Sequence, residues 1–289
     1  YFQKSGRKDV SNKKGVLGPL NCILKTKDMK RYIVFLKQVP LSTKVEMDPV
    51  TRTLKRSSAM ARTNPDDLYA LQLAVKLKRQ TEAEIVAVSM GPASAEEVLR
   101  EALQRGADKA VLLSSKAFAG SDTWCTSLVL AAAVRKLGEY DLLLFGKMAV
   151  DGDTAQVGPE VAGQLDIPQV THLTEVSDIS DTCMCVRKKA GRLFQRMEVD
   201  LPCVVTVGRE TGELDCPTLT GWRWAQRQTI LHWDECDLGL EPSQVGLQAS
   251  PTQVVSTMVP RWKKDVEWLP DGEKFFAVVR ESMRRGINF

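Results

Sequence analysis

The sequence is short of the residues that most enzymes and most secreted scaffolds depend on. Among 289 residues only two are histidine, His172 and His232. They lie far apart, have no ligand-type neighbours at useful spacing, and are read as structural. There is no G-x-S-x-G, H-E-x-x-H or Walker phosphate loop, and no residue stands out as a nucleophile or general base. No apolar run approaches the ~18 residues of a membrane-spanning helix, so no membrane insertion is expected. The formal charge is only +4, and no basic stripe is interleaved with aromatics, which argues against nucleic acid as a partner. The seven cysteines (Cys22, Cys125, Cys183, Cys185, Cys203, Cys216, Cys236) are odd in number and form no C-x-x-C pair. Such scattered thiols suit a reducing compartment and are expected to be buried small hydrophobes, neither a disulfide framework nor a metal site.

What is present is an ordinary globular composition. The apolar fraction is 43%, ample for a core, and the length permits one large domain or two small ones. Residues 1–28 look foreign: Tyr1-Phe2-Gln3 resembles a protease-site remnant, and a Lys-rich stretch without periodicity follows. Met29 directly precedes a clean strand and is read as the natural start, with residues 1–28 a tag or disordered extension.

From Tyr32 onward, short β-branched runs alternate with amphipathic stretches, the pattern of a doubly wound, mostly parallel α/β sheet. Strands are expected over Tyr32–Leu36, Ile85–Met90, Val111–Leu113 and Asp141–Phe145, the last ending at Gly146. Asn64-Pro65-Asp66-Asp67 reads as a helix start, with Asn at the N-cap, Pro at the first helical position and acids in the first turn. Further helices are expected over Ala95–Gln104, closed by Gly106, and from Ser121 or Asp122 to Leu137. The apolar face of the latter includes Trp124, Leu128, Ala131 and Val134. After Pro168 the period changes. Val170–Val176, Cys183–Lys188, Leu193–Val199 and Val204–Val207 alternate like antiparallel strands, a small addition to the nucleotide-binding domain of residues 29–220. Residues 221–289, punctuated by Trp222, Trp224, Trp233, Trp262 and Trp268, show little periodicity and are read as an arm that packs on a partner.

Two loops carry the chemistry. The stretch from Phe145 through Ala149, Val150, Asp151, Gly152, Asp153, Thr154, Ala155, Gln156, Val157 and Gly158 to Pro159 runs from a buried strand into a helix. Gly152 is expected to supply the tight turn, Asp153 to cap the helix, and the helix to present unpaired amides and its positive dipole end to a phosphate. Thr154 and Gln156 can donate to phosphate or ribose oxygens. Gly120-Ser121-Asp122-Thr123, leading to Ser127, is a second helix start on the same edge. The pair can cradle two phosphates, or one phosphate and a ribityl chain, beyond the carboxyl ends of the strands.

These motifs together resemble the β subunit of electron transfer flavoproteins, including the related nitrogen-fixation electron carriers. The resemblance spans Met29 to about Leu240. It rests on Lys37-Gln38-Val39-Pro40, Asn64-Pro65-Asp66-Asp67, Val88-Ser89-Met90-Gly91-Pro92, Gly106-Ala107-Asp108, the Gly146–Pro159 run and Leu201-Pro202-Cys203-Val204-Val205-Thr206. It implies a Rossmann-like domain holding an adenine nucleotide, touched at Phe35, at Asn64 to Asp67, at Met90 and along Ala149 to Glu160. In simple carriers the nucleotide is AMP; in electron-bifurcating relatives it is a second FAD. Asp122, Thr123 and Ser127 favour FAD in this chain, because AMP ends at one phosphate. Phe35 either stacks on a base or fills the core, and core packing is preferred.

The resemblance also implies an obligate heterodimer with an α subunit that carries most of a further FAD, and a dehydrogenase partner of the acyl-CoA type. It places a docking loop over Glu213–Arg227 with Leu219 at its tip, and a location in the bacterial cytoplasm. The chain departs from the family where Trp222 and Trp224 follow Leu219 in place of aliphatic or basic residues, and at Lys188-Lys189-Ala190-Gly191-Arg192. The expected function is electron transfer as half of a flavoprotein rather than stand-alone catalysis, since redox chemistry belongs to the flavin. A non-bifurcating shuttle for acyl-CoA dehydrogenases is the alternative. An ATP-dependent adenylating enzyme or a nucleotide-sensing protein is a remoter one, because no Ser-Gly-Gly-x-Asp-Ser loop is present.

Overall fold

A computed structural model of the chain describes residues 30–41, 61–255 and 271–285. The expectations for residues 1–28, Cys22, Trp262 and Trp268 fall outside the described residues. Strand β1 (Arg31–Phe35) leads into a ribbon of β2 (Gln38–Pro40) and β3 (Ala61–Thr63), then α1 (Pro65–Thr81) and β4 (Glu84–Met90). The alternation continues with α2 (Glu96–Arg105), β5 (Lys109–Leu113), α3 (Thr123–Leu137), β6 (Leu142–Gly146) and α4 (Val157–Leu165). Next come β7 (Gln169–Ile179), β8 (Cys183–Ala190), β9 (Leu193–Asp200), β10 (Cys203–Val207), α5 (Leu219–Ala225), β11 (Ile230–Trp233) and α6 (Gly246–Ala249). The last described helix, α7 (Gly272–Arg284), belongs to a separate unit and exposes Phe275, Phe276, Val278 and Met283.

The main sheet has nine strands in the order β11-β5-β4-β1-β6-β10-β7-β8-β9. From β11 to β7 every neighbouring pair is parallel; β8 and β9 extend the sheet antiparallel. The chain steps from β1 to β4 and β5 on one side, then returns to β6 on the other. That reversal is the switch point at which open α/β sheets bind ligands, beyond the carboxyl ends of β1 and β6. Helices α1, α2 and α5 cover one face, while α3 and α4 cover the other. Central strands buried on both faces explain the unbroken apolar runs in β4, β6 and β10.

Three expectations are corrected. Val204–Val207 is not antiparallel: β10 pairs parallel with both β6 and β7 in the middle of the sheet, and all its residues are buried. Residues 221–253, within the stretch expected as an arm packing on a partner, pack on this chain: α5 lies on α2, and β11 pairs parallel with β5 as the outermost strand. Trp124 does not face the core; it is 50% exposed in the first turn of α3, although Ala131 and Val134 of the same expected face are buried. Cysteine burial is also only partial, with Cys125 and Cys203 buried and Cys216 and Cys236 exposed.

Gly158 fixes how closely α4 approaches the sheet. A Cβ there would lie 2.9 Å from Thr206 Cγ2 and 3.3 Å from the Phe145 ring. Gly158→Ala is therefore expected to destabilise the fold by about 1–3 kcal/mol, as overpacking does. Urea unfolding of the variant against the parent checks this.

Candidate functional site

The floor of the switch point is built from two aromatic rings and one buried carboxylate. Phe35 at the end of β1 and Phe145 near the end of β6 stack with centroids 4.2 Å apart and planes 7° apart. Both are 5% exposed, so Phe35 fills the core, and the pair adds about 0.5–1.5 kcal/mol beyond its burial. Next to them, Asp67 on the first turn of α1 accepts from the Lys37 amide (2.8 Å), the Gly146 amide (3.1 Å) and Asn64 Nδ2 (3.0 Å). One carboxylate thus holds the ends of β1 and β6 together. Gly146 is required beneath it, since a Cβ would fall 2.7 Å from the Asp67 amide.

Asn64 carries the clamp on into the loop after β6. Its Nδ2 donates to the Met148 carbonyl (2.9 Å) and its Oδ1 accepts from the Val150 amide (3.1 Å). Asn64 and Asp67 were expected to touch a ligand. Their side chains are instead buried and spent on main-chain groups, so they shape the loop from below. Met90, at the end of β4, is partly buried against the core on the α3 side.

The loop itself differs in detail from the sequence reading. Gly152 does not supply the left-handed turn; Asp153 (φ 49°) and Ala155 (φ 53°) do. Each such non-glycine residue stores roughly 1–3 kcal/mol of strain. Asp153 does not cap the helix, which starts at Val157 behind Gln156 without a side-chain cap. The amides of Gly152 and Asp153 both turn inward to the Ala149 carbonyl, at 3.2 and 2.8 Å. The amides of Thr154, Ala155, Gln156, Val157 and Gly158 donate to no described residue, and Asp151 to Gln156 are exposed. A left-handed residue followed by right-handed Gln156 makes the kind of concavity whose successive amides bind anions. Ala149 is half-buried and Val150 is 45% exposed on the approach.

The second loop is tied down more fully. Asp122 caps α3 by accepting from the Cys125 amide (3.0 Å), and its other oxygen accepts from the Thr252 amide (2.9 Å) and hydroxyl (2.7 Å). Burial pushes this carboxyl up, but those hydrogen bonds outweigh it and hold it below the usual range. Ser121 Oγ donates to the Phe118 carbonyl and accepts from the Gly246 amide. Ser127 is a correction: it is fully buried, its hydroxyl donates to the Trp124 carbonyl of its own helix, and it cannot line an open cradle. Thr123 alone reaches across, donating to Gln156 Oε1 (3.2 Å) or Glu160 Oε1 (3.0 Å). Burial raises the Glu160 carboxyl, the Thr123 hydroxyl opposes this, and Asp122 adds to it.

A sequence model of the electron transfer flavoprotein domain matches residues 51–218. The chain belongs to that family. Within it, relatives align with this chain along most of their length. The Acetobacterium woodii protein named "Caffeyl-CoA reductase-Etf complex subunit CarD" is 41% identical over 231 residues, 80% of this chain and 88% of its own. "Electron transfer flavoprotein subunit beta" of Thermoanaerobacterium thermosaccharolyticum is 37% identical over 253 residues, 87% and 94% of the two chains. "Protein FixA" of Bradyrhizobium diazoefficiens is 41% identical over 236 residues, 79% and 82%.

Leu219, expected as the tip of a docking loop, is 67% exposed, yet it does not sit at the tip of a loop. It is the first residue of α5, behind the N-cap Thr218. Sequence reasoning missed Lys37, whose ammonium bridges to Asp151 on the loop, and Thr252, which holds Asp122 from 130 positions away.

Asp67 provides a pH test. Burial pushes its carboxyl up to about 7, against the pull of the Asn64, Lys37 and Gly146 donors. A folded-state value above the unfolded one means that the group's contribution is full below about pH 4 and is lost as pH rises through 7. The stability of the parent relative to Asp67→Asn is therefore expected to fall by about 2–3 kcal/mol between pH 5 and pH 8. Urea titrations of both proteins across that range measure the slope.

Proposed function

We propose that this chain is the β subunit of a heterodimeric electron transfer flavoprotein and that its own site holds FAD. The observation that carries the reading is the run of amides from Thr154 to Gly158 at the sheet's switch point, which donate to no described residue and are exposed as far as Gln156. That run suits a nucleotide phosphate without a basic side chain. Met90, Ala149, Val150 and Thr154 border the same edge of the sheet, with Thr123 and Gln156 joining it from α3 and α4. The flavin, when bound, supplies the electron chemistry, and the chain's residues bind and orient it. A second flavin in the β subunit makes the heterodimer a two-flavin protein of the bifurcating type.

AMP is the second reading, and one observation favours it. The Asp122 carboxylate already occupies the start of α3, where a second phosphate would meet a like charge. The two readings separate on nucleotide content. Purified with its α subunit and denatured, the heterodimer is expected to release two FAD and no AMP. One FAD and one AMP would replace the first reading with the second, and release of no nucleotide beyond the α-subunit flavin would overturn both.

The electron partner is proposed to be a dehydrogenase of the acyl-CoA type, met through α5. Leu219 and Trp222, one turn apart, are 67% and 48% exposed. Burying such an anchor contributes about 1.5–3 kcal/mol. Leu219→Ala is accordingly expected to lower kcat/KM for electron transfer to the dehydrogenase at least about tenfold, with bound flavin unchanged; stopped-flow flavin absorbance checks it.

A further inference from the structure

The loop read above as a phosphate site is itself acidic. Asp151 and Asp153 lie on it, Glu160 lies in the first turn of α4, and Asp122 faces it from α3. Asp122 is occupied by the Cys125 and Thr252 donors, and Glu160 accepts from Thr123. Asp151 is met by a cation: Lys37 Nζ lies 2.8 Å from each of its carboxylate oxygens. Lys37 lies two residues beyond the end of β1, and its own amide donates to Asp67 at 2.8 Å. The cation on the loop itself, Lys147, interacts with Asp66 and Glu210 instead. An ion pair whose partners are 49% and 30% exposed does little for stability on its own. Its position, three residues before the first open amide, gives it a different use.

We propose that Lys37 is a positioning residue for the anion site: it holds and neutralises the Asp151 carboxylate, so that phosphate meets the Thr154–Gly158 amides with one negative charge fewer beside them. The inference rests on the phosphate reading of the previous subsection. Lys37 acts through Asp151, not on the ligand, and this distinguishes it from a phosphate-binding lysine. Removing it leaves an uncompensated negative charge near the incoming phosphate, within one Debye length and therefore felt at low salt.

The test uses the heterodimer stripped of its exchangeable nucleotide, with AMP as the probe, because AMP carries the adenosine 5′-phosphate common to both readings. Calorimetric titration at low salt is expected to give a Kd for Lys37→Met about tenfold above the parent, with the difference shrinking to about threefold or less in 0.5 M salt. Lys37→Arg should bind like the parent. The double variant Lys37→Met/Asp151→Asn should recover to within about threefold of it, and Asp151→Asn alone should bind AMP at least as tightly as the parent. A simple tether predicts the opposite: both variants carrying Asp151→Asn would then be as weak as Lys37→Met. That result, or unchanged binding by Lys37→Met, overturns the proposal. Failure of the parent heterodimer to bind AMP overturns the phosphate reading beneath it, a distinct outcome.

Discussion

The geometry at the switch point depends on one buried carboxylate that meets no counter-ion among the described residues. Asp67 gathers the amides that follow β1 and end β6 and accepts from Asn64, which in turn holds the following loop by its main chain. Adjacent parallel strands diverge at their carboxyl ends once the ladder of hydrogen bonds stops. A bridge across that gap must be compact, rigid and rich in acceptors, and an aspartate on the first turn of α1 is all three. The arrangement also explains the proline beside it. Pro65 begins α1 where no amide donor is needed, with its backbone angle already helical.

The fold was legible wherever burial on both faces left an uninterrupted apolar run, as in β4 and β6, and wherever Asn64-Pro65 and Gly106 punctuated the chain. β10 was misread although Val204–Val207 is just such a run, because the hairpin before it set an antiparallel expectation. β11 left little trace: it is four residues long, and an edge strand need bury only part of its surface. At the site, the position of the loop was readable and its geometry was not. Glycine is the usual mark of a left-handed residue, yet here Asp153 and Ala155 take that conformation while Gly152 does not. Nor does local pattern reveal that the hydroxyl closing over Asp122 comes from Thr252.

The proposed docking surface differs in kind from a mobile loop. A Cβ on Gly221 would collide with the Gln104 carbonyl, so α5 rests directly on the end of α2. Arg100 reinforces the contact by donating to the Ala225 and Gln228 carbonyls, at 2.7 and 2.6 Å. An anchor held in place this way loses little conformational freedom when a partner covers it. Fast exchange between partners must then come from the small size of the apolar patch rather than from flexibility of the segment that bears it.

The insertion of β10 between β6 and β7 has a consequence for biosynthesis. Synthesis runs from the amino terminus, so β6 and the β7–β9 hairpins leave the ribosome before the strand that joins them. Until Cys203–Val207 emerges, the growing polypeptide presents two open β-edges that face each other and need the same missing partner. Such edges invite pairing with other nascent chains. Truncations and translational pauses just upstream of residue 203 are thus the most hazardous for this architecture, whereas a stop after β10 already leaves the two halves of the sheet joined.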